Sequence, residues 1–176
     1  MKNRTKEKRY KKTIAFVQKH ISKNSRILDL GTRNELSALL EKNGYKVYNT
    51  QGENLDIDYK KYIDLDVDVV TSFEIFEHML APFNILKDLK VDKIITSVPL
   101  KLWFASAYWN EDNDWDKHYH EFEVKQFKFL LEKTGWEIID SEKWTSSDWR
   151  KLGIRPILRH FIPRYYIAYC ERKKPV

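Results

Sequence analysis

The sequence predicts an α/β domain, a mostly parallel sheet with helices on both faces. Short apolar runs rich in β-branched residues, such as RILDL, VDVVTSF and KIITSV, alternate with stretches of helical period. Helix punctuation stands at their borders, with Gly31, Asn43-Gly44, Pro82 and Gly135 at the expected starts and stops. The 176 residues, 42% of them apolar, suffice for one core and one domain spanning 1–176. About 68–70% of the unfolded surface is buried at such a length, so neither disulfides nor a metal is needed to hold it.

A basic N-terminal helix within 1–25 leads, because Tyr10, Ile14, Val17 and Ile21 recur three or four apart. Arg26 to Leu30 is a strand running through Gly31 into a helix whose start, Thr32-Arg33-Asn34-Glu35, has the Thr-x-x-Glu form of a capping box. Leu36, Leu39 and Leu40 form that helix's buried stripe. Lys46 to Thr50 is the second strand. The acidic stretch after Gly52 holds only a very short strand or turn. Val67 to Phe73 and Lys93 to Val98 are strands flanking a helix at Pro82 to Leu89. A helix at about Val124 to Lys133 and strands at Trp136 to Trp144 and Tyr165 to Glu171 close the pattern. No repeat or low-complexity segment interrupts it.

The net charge of +6 is unevenly spread. Met1 to Lys12 carries 7 basic residues and 1 acidic, Arg150 to Val176 carries 8 and 1, and the middle carries 17 and 24. The basic ends suit an anionic partner, a nucleic acid or an anionic membrane surface included; a solubilising tail and a solvated edge explain them equally. The lone Cys170 excludes a disulfide framework and points to a reducing, cytoplasmic setting. No secretory segment is visible, and no apolar stretch approaches the roughly 20 residues of a membrane span.

Ligands of such sheets bind beyond the carboxyl ends of the strands. The loop DLGTRNEL offers a tight turn and a helix start suited to a carboxylate or phosphate, although one glycine is a weak signal. TSFEIFEH places Glu74, Glu77 and His78 at a strand end. Glu74 and His78, four apart, would suit a metal pair, but no further ligands stand at zinc-like spacing, so no metal is expected. His78 as a packed histidine is the plainer reading. Residues 99–120 carry Trp103, Phe104, Tyr108, Trp109, Trp115 and Tyr119, and form a lid, a substrate loop or a self-packed cover. His118 and His120 near its end are candidate general bases.

In order and over nearly the full length, the chain resembles the class I S-adenosylmethionine-dependent methyltransferases, in particular the branch with ubiquinone-biosynthesis O-methyltransferases and small-molecule methyltransferases. ILDLGT resembles the first motif, DVVTSFEIFEHMLAPFNIL the acidic-histidine segment, IITSVPL the strand ending in Thr-x-Pro, HYHEFEVKQFKFLLEKTGWEI the stretch before the last hairpin, and YYIAYCERK the closing strand. The resemblance implies a Rossmann-like fold with an antiparallel C-terminal strand and S-adenosylmethionine as cofactor. It implies that Gly31 and Thr32 turn past the methionyl end with Asp29 orienting the loop, and that Phe73 and Glu74 flank the sulfonium, where a carboxylate is electrostatically favourable. Asp56 would accept from the adenine amino group, with Ile57 against the ring.

Two departures stand out. Arg33 and Glu35 replace the second and third glycines of the family's G-x-G-x-G loop. A side chain at either place could crowd the cofactor, and the charge of Glu35 would oppose a bound carboxylate unless it folds back as the capping-box partner of Thr32; the alternative for Arg33 is a bidentate clamp on that carboxylate. Gln51 stands where the family has the acid that holds the ribose, with Glu53 close enough to substitute. The expected activity is methyl transfer to an O or N of a small-molecule acceptor, with His118, His120 or, behind them, His78 as base. Two rivals remain: a degenerate methyltransferase-like binding or scaffolding protein, and a nucleic-acid-binding module using the basic termini.

Overall fold

A computed structural model describes residues 4–146 and 153–173. Strands β1 (Arg26–Asp29), β2 (Lys46–Asn49), β3 (Val69–Phe73), β4 (Lys93–Pro99), β5 (Trp136–Thr145) and β6 (Pro163–Arg172) form one sheet in the order β2-β1-β3-β4-β6-β5. β1, β2, β3 and β4 are mutually parallel, and β6 runs antiparallel to both neighbours, β4 and β5. This is the Rossmann-like fold with a reversed C-terminal strand that the sequence predicts.

Both faces are covered because successive strand residues point to opposite sides. Ile27, Val69, Ile95, Ile167 and Tyr169 face one core, shared with Phe16, Val17 and Ile21 of α1 (Arg4–His20) and Leu40 of α2 (Glu35–Lys42). Leu28, Val70, Ile94, Ala168 and Cys170 face the other, beneath Ile85 and Leu86 of α4 (Pro82–Asp88) and Phe127 and Leu131 of α5 (Val124–Lys133). Buried in that second core, Trp136 donates its indole N–H to the Leu86 carbonyl at 2.9 Å.

Three local expectations are corrected. The cap of α2 is Asn34: its side chain accepts from the N–H groups of Leu36 and Ser37, while Asn34 N–H donates to the Ser37 hydroxyl. Asn34 outcompetes Thr32 because the turn at Gly31, with φ of 139°, delays the helix by two residues. The stretch after Gly52 forms a helical turn, α3 (Leu55–Asp58), continued by a 3₁₀ turn at Tyr59–Tyr62. Asn54 caps it, and Leu55 and Tyr59 anchor it in the core. The basic stretch before β6, for which the sequence pattern predicts no element, forms a helix, α6 (Ile154–Phe161). The basic residues Lys2, Arg150, Lys151 and Lys174 lie outside the described residues. No described helix is long and apolar enough to cross a membrane.

Candidate functional site

Asp29 closes β1 and is buried. Its carboxylate accepts from Thr71 Oγ1 (2.7 Å) on β3, Ser37 Oγ (3.2 Å) on α2 and Asn49 Nδ2 (3.1 Å) on β2, tying three strands and a helix start to one group. Burial pushes its pKa up to about 6 against those hydrogen bonds. Asn49 Nδ2 also donates to the Gly31 carbonyl, and Gly31 N–H donates to Thr50 Oγ1. Gly31 is held from both sides in a conformation that side chains rarely adopt, and a Cβ there would come within 3.1 Å of Ile75 Cδ1.

Past Gly31 opens a cleft of about 370 Å³, lined among others by Thr50, Glu53, Leu55, Asp56, Ile75, His78, Met79 and Trp115. It lies at the carboxyl ends of β1 and β2, where the fold type binds ligands. Glu53 is its fixed carboxylate: Oε2 accepts from Gln51 N–H (2.8 Å) and Oε1 from the Tyr62 hydroxyl (2.5 Å). The Tyr62 bond holds its pKa below the usual value. Asp56 accepts from the backbone N–H groups of Leu80 (2.8 Å) and Ala81 (2.7 Å) and secures the approach to α4.

On the other side of Ile75 lies a smaller cavity of about 50 Å³ lined by Arg9, Tyr10, Asp29, Phe73, Glu74 and Ser97. Glu74 has a φ of 59°, rare for a residue with a side chain, and this aims its carboxylate back across the sheet end. There it accepts from Ser97 Oγ (2.9 Å) and Arg9 Nη1 (3.3 Å). Burial raises its pKa, with Arg9 opposing. Glu77 is more deeply enclosed, and Oε2 is buried without a hydrogen-bond partner among the described residues. Burial and then the charge of Glu74 raise its pKa well above the ordinary range.

The three candidate histidines separate into a pair and a single. His78 and His118 meet edge to face with ring centroids 4.8 Å apart. His78 Nδ1 lies 3.1 Å from the Lys117 carbonyl, so that nitrogen carries the proton, and burial lowers the pKa of the ring. His118 Nδ1 lies 3.0 Å from Glu121 Oε1, so in the neutral ring Nε2 is the acceptor nitrogen; the side chain is 9% exposed and lies beside the cleft residue His78 rather than in the lining. His120 instead stacks on Phe122 and points Nε2 at the Leu80 carbonyl. Ligand atoms of Glu77, His78 and His118 all lie within 4.8 Å of one another, a set chemically able to hold a divalent metal. The Glu74–His78 pairing weighed from helical spacing is replaced by this one, because a 3₁₀ turn at Phe76–His78 stands where a helix was needed.

Several residues expected at the cleft have other partners in this structure. Arg33 pairs with Glu41 across the outside of α2, and Glu35 pairs with Lys6, so neither side chain lines the cleft. Gln51 turns its amide toward the Asn49 carbonyl and is absent from the lining. Ile57 is 73% exposed and also absent; Leu55 supplies the apolar wall. The helix start is less open than expected, since Asn34 already takes two of its N–H groups. Arg9 went unrecognised, and Trp115 was marked only as one ring among several. Arg9 lies 65 residues from its partner Glu74, and only the crossing of α1 over the sheet end joins them. Trp115 belongs to 99–120, whose aromatic load did mark it, and it is the ring of that stretch that reaches the cleft. Of the others, Trp103, Tyr108, Trp109 and Tyr119 are exposed, and within the stretch Trp103 meets Phe104 and Trp109 meets Tyr119 edge to face, at 5.4 and 6.0 Å between ring centroids.

The fold is that of the class I methyltransferases. The methyltransferase chain of a Haloferax volcanii complex with the Trm112 activator superposes with a TM-score of 0.67, covering 98% of this chain and 94% of its own at 13% identity. Magnesium protoporphyrin IX methyltransferase from Synechocystis PCC 6803, solved with bound S-adenosylhomocysteine, gives 0.60 over 96% and 84% at 13% identity. The cyclase SpnF gives 0.57 over 93% and 82% at 12% identity, so the shared architecture does not by itself fix the reaction. Comparison with family models and with curated proteins gives no match.

Proposed function

We propose that the chain is an S-adenosylmethionine-dependent methyltransferase acting on an O or N of a small-molecule acceptor. The observation that carries this reading is the cleft past Gly31, with a fixed carboxylate on one side and a buried carboxylate beyond Ile75 on the other. The donor set suits the cofactor. Glu53 has lone pairs for ribose hydroxyls, Leu55, Met79 and Trp115 offer apolar walls for the adenine, and Glu74 offers negative charge to a sulfonium or ammonium. Arg9 is the cation at hand for the methionyl carboxylate, the role expected of Arg33. Asp56 lines the cleft with both carboxylate oxygens already accepting, so an adenine amino group would share it with Leu80 and Ala81.

The bound cofactor supplies an activated methyl group. The chain's residues orient, exclude water and receive a proton. His118 takes the base role: Glu121 fixes its Nδ1–H, and Nε2 is left to accept from the acceptor's O–H or N–H. His78 packs its ring against His118 and fixes its tilt.

Calorimetry and thermal shift with S-adenosylmethionine and S-adenosylhomocysteine test the proposal. Binding is expected, with about 2.7 kcal/mol of added stability at a hundredfold excess over Kd. Gly31→Ala is expected to weaken it by driving a Cβ toward Ile75. No heat and no shift with either ligand overturns the proposal and leaves the binding or scaffolding reading.

A further inference from the structure

The corner of the sheet where β4 ends and β6 begins carries a second surface. Pro99 pairs with Tyr165 there, and Leu100 N–H donates to the Arg164 carbonyl at 2.6 Å. Two segments diverge from this corner, α6 on one side and the start of 99–120 on the other. Ile154, Ile157 and Phe161 recur at i, i+3 and i+7 along α6, exposed by 79%, 56% and 76%, and no residue of that helix is buried. Trp103, three residues past Leu100, is 75% exposed. Side chains of this size usually find a partner when they line one helical stripe.

Charge identifies the partner. The chain has 26 acidic residues, yet none falls in 99–110 or 153–170. The charged residues beside the apolar ones are exposed Lys101, Arg155 and Arg159. Arg9, 5.5 Å over the Tyr165 ring, brings α1 to the same corner, and the exposed charges of that helix's first three turns are Arg4, Glu7, Lys8, Lys11 and Lys12. Exposed aliphatic and aromatic side chains flanked by cations that outnumber the one exposed acid, Glu7, match the boundary of an anionic bilayer, where rings enter the acyl edge and guanidinium groups meet phosphates. We propose that α6 and the Trp103 segment form a docking surface for an anionic phospholipid membrane. This holds whether or not the cleft transfers methyl groups.

Co-sedimentation of the full chain with phosphatidylglycerol–phosphatidylcholine vesicles, against pure phosphatidylcholine vesicles, is the test. Binding to the anionic vesicles that weakens with salt is expected, together with a blue shift of tryptophan emission that Trp103→Phe diminishes. Ile157→Ser with Phe161→Ser is expected to lower the partition coefficient about tenfold or more, and Arg155→Glu with Arg159→Glu to abolish the preference for anionic lipid. These positions are exposed, so an unchanged thermal midpoint verifies that the variants fold. Absence of binding, equal binding to neutral vesicles, or binding indifferent to both double substitutions overturns the proposal. So does a concentration-dependent dimer that the apolar substitutions dissolve while vesicle binding is absent.

Discussion

Asp29 shows how one residue couples site and stability. The residue is 3% exposed, and burial pushes its carboxyl up from an ordinary 3.8 to about 6 in the folded state. The folded state therefore holds a proton that the unfolded state has lost between those values. The sign follows: the group's contribution is full below the unfolded value and falls as the pH rises through the folded one. The cost of ionisation at neutral pH is of order 3 kcal/mol. Asp29→Asn removes this titration while disturbing the acceptor set, so its stability relative to the unmodified chain is expected to improve by that order between pH 3.8 and about 6. Urea denaturation across that range measures it, and parallel profiles would show the proton is not shared as described. Among the histidines, His118→Ala is expected to lower the turnover of a supplied acceptor at least about tenfold, with S-adenosylhomocysteine affinity retained. His120→Ala is expected to cost less, because its ring addresses the Leu80 carbonyl.

Among the elements, α2 depends on its cap. Asn34→Ala leaves two N–H groups at the helix start without their acceptor and is expected to cost about 1 kcal/mol. Thr32→Ala, by contrast, leaves that cap in place and is expected to stay within a few tenths of a kcal/mol in the same chemical-denaturation measurement. The comparison separates the observed cap from the one the Thr-x-x-Glu pattern suggests. The sequence contained both patterns, Thr32–Glu35 and Asn34–Ser37, two residues apart. Choosing between them required the path of the chain through Gly31, a positive-φ turn set by Thr50 and Asn49 on the neighbouring strand. Element boundaries elsewhere were legible to within a few residues, as with α5 at Val124–Lys133, since periodicity and flanking glycines are local properties. α6 escaped notice because Pro156 and three basic or histidine residues within eight obscure its apolar stripe.

For the molecule as a whole, the alternation within β1, β3, β4 and β6 makes the two cores one cooperative unit. Trp136→Ala, in the core beneath α4 and α5, is expected to cost about 3–5 kcal/mol. That is a large share of the 5–15 kcal/mol typical of domains. Far-ultraviolet and near-ultraviolet circular dichroism should still lose their signals in a single shared transition. Separate transitions would mean that the sheet does not couple its faces. Asp29 ends β1, and Glu74 and Glu77 stand in the turn that follows β3, so all three lie at the carboxyl side of inner strands, where burial raises their pKa values.

By itself the sequence determined the alternation of strands and helices, the Gly31 turn, and the stretches around Glu53, Glu74 and His118 that meet at one end of the sheet, because these follow from local period and local chain stiffness. Which charged groups face one another was decided only in three dimensions. Arg33 is sequence-adjacent to the cleft yet spends its charge on Glu41, while Arg9 and Trp115 arrive from distant segments. Pairing energies depend on distance and burial, and neither quantity is written in the order of residues along a chain.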